Sequence, residues 1–127
     1  MQQAAKFALT LLAGFALGAG AIQGLHAQAG NKPGYVVAEP EVTDPPAFQA
    51  YAAKATETIK AANGRVLAFG KPDVKEGALV PGNIVIIAFD SLADAEKWYN
   101  EPPYHPLIAE RQKAAKTRLY LVEGTPQ

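Results

Sequence analysis

Few side chains in this sequence could do chemistry, and their types set narrow limits. No Cys occurs, which removes thiolate nucleophiles, disulfides, zinc knuckles and Cys-held iron–sulfur clusters together. Ser91 is the one serine, and its place three residues before Asp94 suits a helix cap better than a nucleophile. His26 falls in an apolar leader, so His105 is the single imidazole of the remaining chain, and metal centres built on two or three His ligands need more than that. His105 adjoins Tyr104 in a proline-stiffened turn, where an imidazole is the natural group for proton transfer near neutral pH or for touching a ligand. A solvated loop histidine is the plainer reading. Glu39 interrupts an otherwise apolar strand, and a buried carboxylate must be paired or shift its pKa. Arg118 on the last strand is its expected partner, and the pair either fixes strand register or leaves Glu39 to act as a catalytic base. Glu39 and Glu41 share a strand face near Asp44, yet nothing fixes a third ligand, so no metal site is expected. No cofactor is expected either, because no dinucleotide or Walker signature occurs and Gly70, Gly77 and Gly82 stand too far apart to cradle a phosphate. Tyr51, Trp98 and Tyr104 supply aromatic faces with polar tips. Tyr51, Trp98 and Tyr99 read as ordinary core at helical spacing; around a cavity, Tyr51, Trp98 and Tyr104 would be the lining for a small, flat, partly apolar molecule.

The elements that must position these groups are well punctuated. Tyr35 to Val42 reads as a strand from its β-branched and aromatic content. Asp44-Pro45-Pro46 opens a helix whose Phe48, Tyr51, Ala52, Ala55, Ile59 and Ala62 recur at helical spacing, and Asn63-Gly64 closes it with Gly in the left-handed cap. Arg65 to Phe69 is a short strand, Gly70 to Gly82 a loop, and Asn83 to Phe89 the strongest strand of all. Ser91 starts a second helix carrying Leu92, Ala95, Trp98 and Tyr99 on one face, which the prolines between Asn100 and Pro106 break. A third helical segment over Leu107 to Lys116 and a strand over Thr117 to Glu123 complete the chain. Right-handed crossovers then give an α+β, ferredoxin-like βαββαβ unit, a four-stranded antiparallel sheet with the helices on one face.

Length and composition agree with one such domain. The chain has 127 residues, 49% of them hydrophobic, and 12 basic against 12 acidic side chains, so neither disorder nor an electrostatic footprint for nucleic acid is indicated. Residues 1–29 have the anatomy of a signal peptide: Lys6, an apolar run from Phe7 to Ile22 broken only by Thr10, and the small residues of Ala27-Gln28-Ala29. The run is shorter than the roughly 20 residues that span a bilayer comfortably. Cleavage is expected, leaving residues 30–127 as a periplasmic or secreted domain free of the membrane. Gly14 and Gly18 are the spacing that would instead pack an uncleaved membrane helix.

A sheet covered on one face should alternate apolar and polar residues. Ile84-Val85-Ile86-Ile87-Ala88-Phe89 is apolar on both faces, and Leu119-Tyr120-Leu121-Val122 and Val66-Leu67-Ala68-Phe69 are nearly so. Each aliphatic side chain left in water forgoes about 1.5–3 kcal/mol of burial. An identical sheet related by a two-fold axis is the simplest cover, so the expected partner is a second copy of the chain.

Tyr35-Val36-Val37-Ala38-Glu39, Val42-Thr43-Asp44-Pro45, Asn63-Gly64-Arg65, Phe89-x-Ser91-Leu92, Trp98-Tyr99, Tyr104 and the closing Arg118 to Gly124 stretch resemble the family catalogued as domain of unknown function 1330. The resemblance implies a dimeric α+β barrel, similar to cofactor-free antibiotic-biosynthesis monooxygenases and muconolactone isomerases, and no settled reaction. Pro40 and the proline-rich Glu101 to Pro106 turn depart from the pattern. Three functional readings follow: a homodimer that binds a small molecule through Tyr51, Trp98, Tyr104 and His105; a cofactor-independent monooxygenase or isomerase with His105 or Glu39 as base; and a ligand-free structural dimer.

Overall fold

The computed structural model describes residues 31–127, so the expected signal peptide lies outside the described residues. The strands are β1 (Gly34–Val42), β2 (Arg65–Gly70), β3 (Ile84–Phe89) and β4 (Ala115–Glu123). The helices are α1 (Pro45–Ala61), α2 (Leu92–Asn100) and α3 (Leu107–Ala114). The strands form one antiparallel sheet in the order β2-β3-β1-β4, which is the ferredoxin-like α+β arrangement expected from the element order. Among the described residues no helix is long and apolar enough to cross a membrane.

Local chemistry places the helix ends. The Asp44 side chain accepts from the Ala47 N–H at 3.2 Å with Pro45 in the first turn, and Ser91 accepts from the Asp94 N–H at 3.0 Å. At the end of α1 the left-handed residue is Asn63, with φ 60°, and not Gly64. Gly64 is needed for a different reason: a Cβ there would lie 2.6 Å from the Phe89 ring. The expected boundary between the third helix and the last strand also moves. Ala115 and Lys116 pair with Val42 and Glu41, and the N–H groups of Thr43 and Asp44 both donate to the Ala114 carbonyl, so strand pairing claims two residues assigned to the helix. Pro40 fits mid-strand because β1 pairs with β3 only as far as Ala38. Its missing N–H therefore points where the ladder has ended, while its carbonyl accepts from Asn83 at 3.3 Å.

Strand alternation divides the sheet into two faces. Val36 and Ala38 of β1, Ile87 and Phe89 of β3, and Leu119 and Leu121 of β4 point to the helices and join a core with Phe48, Ala55, Ile59, Ala95, Trp98 and Tyr104. On the opposite face stand Tyr35, Val37, Ile84, Ile86, Tyr120 and Val122, the last of them 50% exposed. This is the uncovered apolar face that the non-alternating strands foretold. A bulge in β2 between Val66 and Ala68 shifts the register, so that Val66 opposite Ile87 and Phe69 opposite Val85 both turn toward the helix side. α1 packs chiefly against α3, and α2 against β1, β3 and β4.

Candidate functional site

Three helical segments and one turn converge behind the sheet. Tyr51 and Thr58 come from the buried stripe of α1, Trp98 from α2, Tyr104 from the proline turn and Arg111 from α3. Tyr104 is fully buried. Its hydroxyl lies 2.6 Å from that of Tyr51 and accepts a hydrogen bond from an Arg111 terminal nitrogen at 2.9 Å. Its ring stacks on Trp98 with centroids 3.8 Å apart and 24° between planes. The Trp98 indole N–H donates to Thr58 Oγ1 at 3.0 Å, and that hydroxyl donates to the Ala55 carbonyl at 2.7 Å. The aromatic residues expected from the sequence are thus joined in one hydrogen-bonded and stacked cluster.

Burial and neighbouring groups shift two members of the cluster, Tyr51 and Arg111. Burial, reinforced by the neighbouring Tyr104, pushes the Tyr51 hydroxyl far above the ordinary phenol value, and the Arg111 charge only partly opposes this. Tyr51 therefore remains neutral at any physiological pH. Burial alone would make the Arg111 guanidinium easier to deprotonate, but Tyr104 and Tyr51 outweigh it and the net shift is upward. Arg111 is 6% exposed and its Nε has no hydrogen-bond partner among the described residues.

A cavity of about 90 Å³ adjoins this cluster, between α1 and the β2–β3 half of the sheet. Tyr51, Trp98 and Arg111 line it together with Phe48, Ala55, Ile59 and Ile87, and Val66 and Phe69 reach it from β2. Phe69 is 57% exposed and forms part of the outer rim. The β2 bulge is what lets both rim residues face the cavity. A larger groove of about 520 Å³ runs between the end of α1, α2 and the proline turn. It is the weaker candidate, because its floor polar atoms on Thr58 and Trp98 already satisfy one another.

The other expected site residues lie elsewhere. His105 is exposed, with Nδ1 3.0 Å from the Tyr99 carbonyl and its ring edge-on to Tyr99. Glu39 stands on the open sheet face, where the Tyr120 hydroxyl donates to it at 2.5 Å and is pushed upward in pKa by that bond. Arg118 is the cross-strand neighbour of Glu39, as expected, but its guanidinium lies over the Tyr120 ring at 5.6 Å. Among the described residues no three His, Asp or Glu side chains gather as metal ligands. Arg111 and Thr58 were not singled out in the sequence. Their signal was the register of their helices: Thr58 follows Tyr51 and Ala55 on one stripe, and Arg111 follows Leu107 and Ile108.

Solved structures that share this fold include proteins of unknown function and one oxygenase. RPA0582 from Rhodopseudomonas palustris, a protein of unknown function, is 19% identical with a TM-score of 0.55, over 72% of this chain and 82% of that one. SnoaB, a cofactor-independent oxygenase from Streptomyces nogalater, is 13% identical with a TM-score of 0.51, over 72% and 91%. A dimeric ferredoxin-like protein of unknown function from Thermobifida fusca is 16% identical with a TM-score of 0.50, over 72% and 91%. A search of curated proteins returns no match. The domain of unknown function 1330 matches residues 33–125, nearly all of the described chain, and the protein belongs to that family.

Proposed function

We propose that this protein is an exported homodimer that binds a small, partly apolar molecule between the sheet and α1. One observation carries the reading: an apolar cavity of about 90 Å³ whose wall includes the Tyr51 and Arg111 side chains. A few convergent polar groups in an otherwise apolar recess are the usual composition of a small-molecule site. Binding is preferred to isomerase chemistry, and to oxygenase chemistry of the kind named for SnoaB, because His105 and Glu39, the expected bases, stand away from this recess. The second copy is supported by the uncovered face bearing Val37, Ile86, Tyr120 and Val122 and by the dimeric Thermobifida fusca neighbour. Export rests on the leader in residues 1–29.

Trp98 is the only tryptophan of the chain and lines the cavity, so its fluorescence reports occupancy. Titration with benzyl alcohol should give a saturable change in the wild type. Ala55→Leu, which fills the recess from α1, should weaken it at least several-fold, with Ala55→Val as the milder substitution if the larger side chain disturbs folding. A non-saturable response in the wild type, or unchanged affinity in folded variants, would refute the site.

A further inference from the structure

Among the described residues the buried Arg111 guanidinium has no carboxylate partner. The Glu110 beside it in sequence is turned to Lys54 at 3.1 Å, and the groups that bear on Arg111 are the two phenols. One of those phenols, Tyr51, is held neutral by burial. The C-terminal end of α3 offers a fraction of a charge at most. Removing an ion from water costs several kcal/mol unless it is paired and its donors are used, and here Nε remains unbonded while the side chain lines the apolar recess.

Resting on the cavity reading above, we propose that the ligand is a small monoanion of the carboxylate class. Its charged end meets Arg111, with Tyr51 beside it, and its flat or short apolar body lies toward Ala55, Ile59, Ile87 and Phe69. A planar guanidinium with an unused donor matches a carboxylate fork better than any neutral group. The ligand would supply the charge that the described residues leave out.

Calorimetric titration of the wild type with benzoate and with benzyl alcohol separates this inference from the one beneath it. The two probes share a ring and differ in charge. Benzoate should bind about tenfold or more tightly than benzyl alcohol. Arg111→Met should abolish that preference while still accepting benzyl alcohol, and Arg111→Lys should retain only part of it. Equal affinities for the two probes would overturn the anion and leave the cavity, whereas binding of neither would overturn both. Should Arg111→Met fail to fold, the wild-type comparison still decides. Tyrosinate absorption in the ligand-free wild type at neutral pH would also overturn the proposal, because the cation would then have an internal counter-ion.

Discussion

Tyr104 is the residue through which the polar cluster is assembled, and removing its hydroxyl should cost more than removing that of Tyr51. In Tyr51→Phe the lost bond is the one between the two phenol hydroxyls at 2.6 Å, while Arg111 keeps its acceptor, so the cost should be about 0.5–1.5 kcal/mol. In Tyr104→Phe the same bond goes, and the Arg111 terminal nitrogen loses the hydroxyl it donates to at 2.9 Å in a residue only 6% exposed. A hydrogen bond to a charged group is worth about 1.5–3 kcal/mol. The expected total for Tyr104→Phe is therefore about 2–4 kcal/mol. Both rings survive, so the stack on Trp98 and the packing volume are nearly unchanged. Urea unfolding at 25 °C followed by circular dichroism measures both variants and the double variant, which should be little worse than Tyr104→Phe alone because the two hydroxyls share one network. A Tyr104→Phe cost no greater than that of Tyr51→Phe, or full additivity in the double variant, would refute the proposed wiring.

Ile86→Lys places a charge in the middle of the open sheet face, where Ile86 is half-buried; the folded variant should sediment as a monomer and the wild type as the proposed dimer, and equal sedimentation of the two would refute the pairing through this face. Gly64→Ala should destabilise by about 1–3 kcal/mol through overpacking, because the new Cβ meets the Phe89 ring at 2.6 Å and Ile59 Cγ2 at 2.9 Å. Asn63→Gly, at φ 60°, should be close to neutral, with both variants read by the same urea unfolding. The raised Tyr51 pKa makes stability pH-dependent on the alkaline side: its contribution is complete below the unfolded phenol value of 10.0 and is lost as pH climbs beyond it, since the unfolded chain gives up the proton first. Stability measured from pH 8 to 11 should fall less steeply in Tyr51→Phe than in the wild type.

Most of the fold was legible because its boundaries are chemical events. Asp44 and Ser91 cap, Pro45 starts a helix, and the prolines after Asn100 stop one. The open face was legible for a related reason: Ile84 to Phe89 cannot alternate inward and outward without leaving aliphatic side chains on the far side. The errors were of finer grain. Left-handed backbone was assigned to Gly64 on its type, whereas Asn63 adopts it and Gly64 answers a ring contact that only tertiary packing creates.

The site was partly legible. Tyr51, Trp98 and Tyr104 were named as possible lining, and the structure joins them by a bond and a stack. Arg111 escaped because a charged residue on a short helix ordinarily faces water; only the Leu107, Ile108, Arg111 spacing hinted at an inward position. The bulge at Leu67 that brings Val66 and Phe69 to the rim has no local signature in Arg65 to Gly70. Glu39 was assigned to Arg118 by strand order. Tyr120, two residues on along β4 and on the same face, was equally available, and its hydroxyl takes the carboxylate.

Native mass spectrometry of the protein purified under native conditions from its own cells tests the central claim most directly, since it reports chain mass, copy number and retained compound in one spectrum. The account predicts two chains that begin near Gln28 or Gly30, carrying a small acidic molecule that is released on acidification and not retained by Arg111→Met. A ligand-free single chain would contradict it.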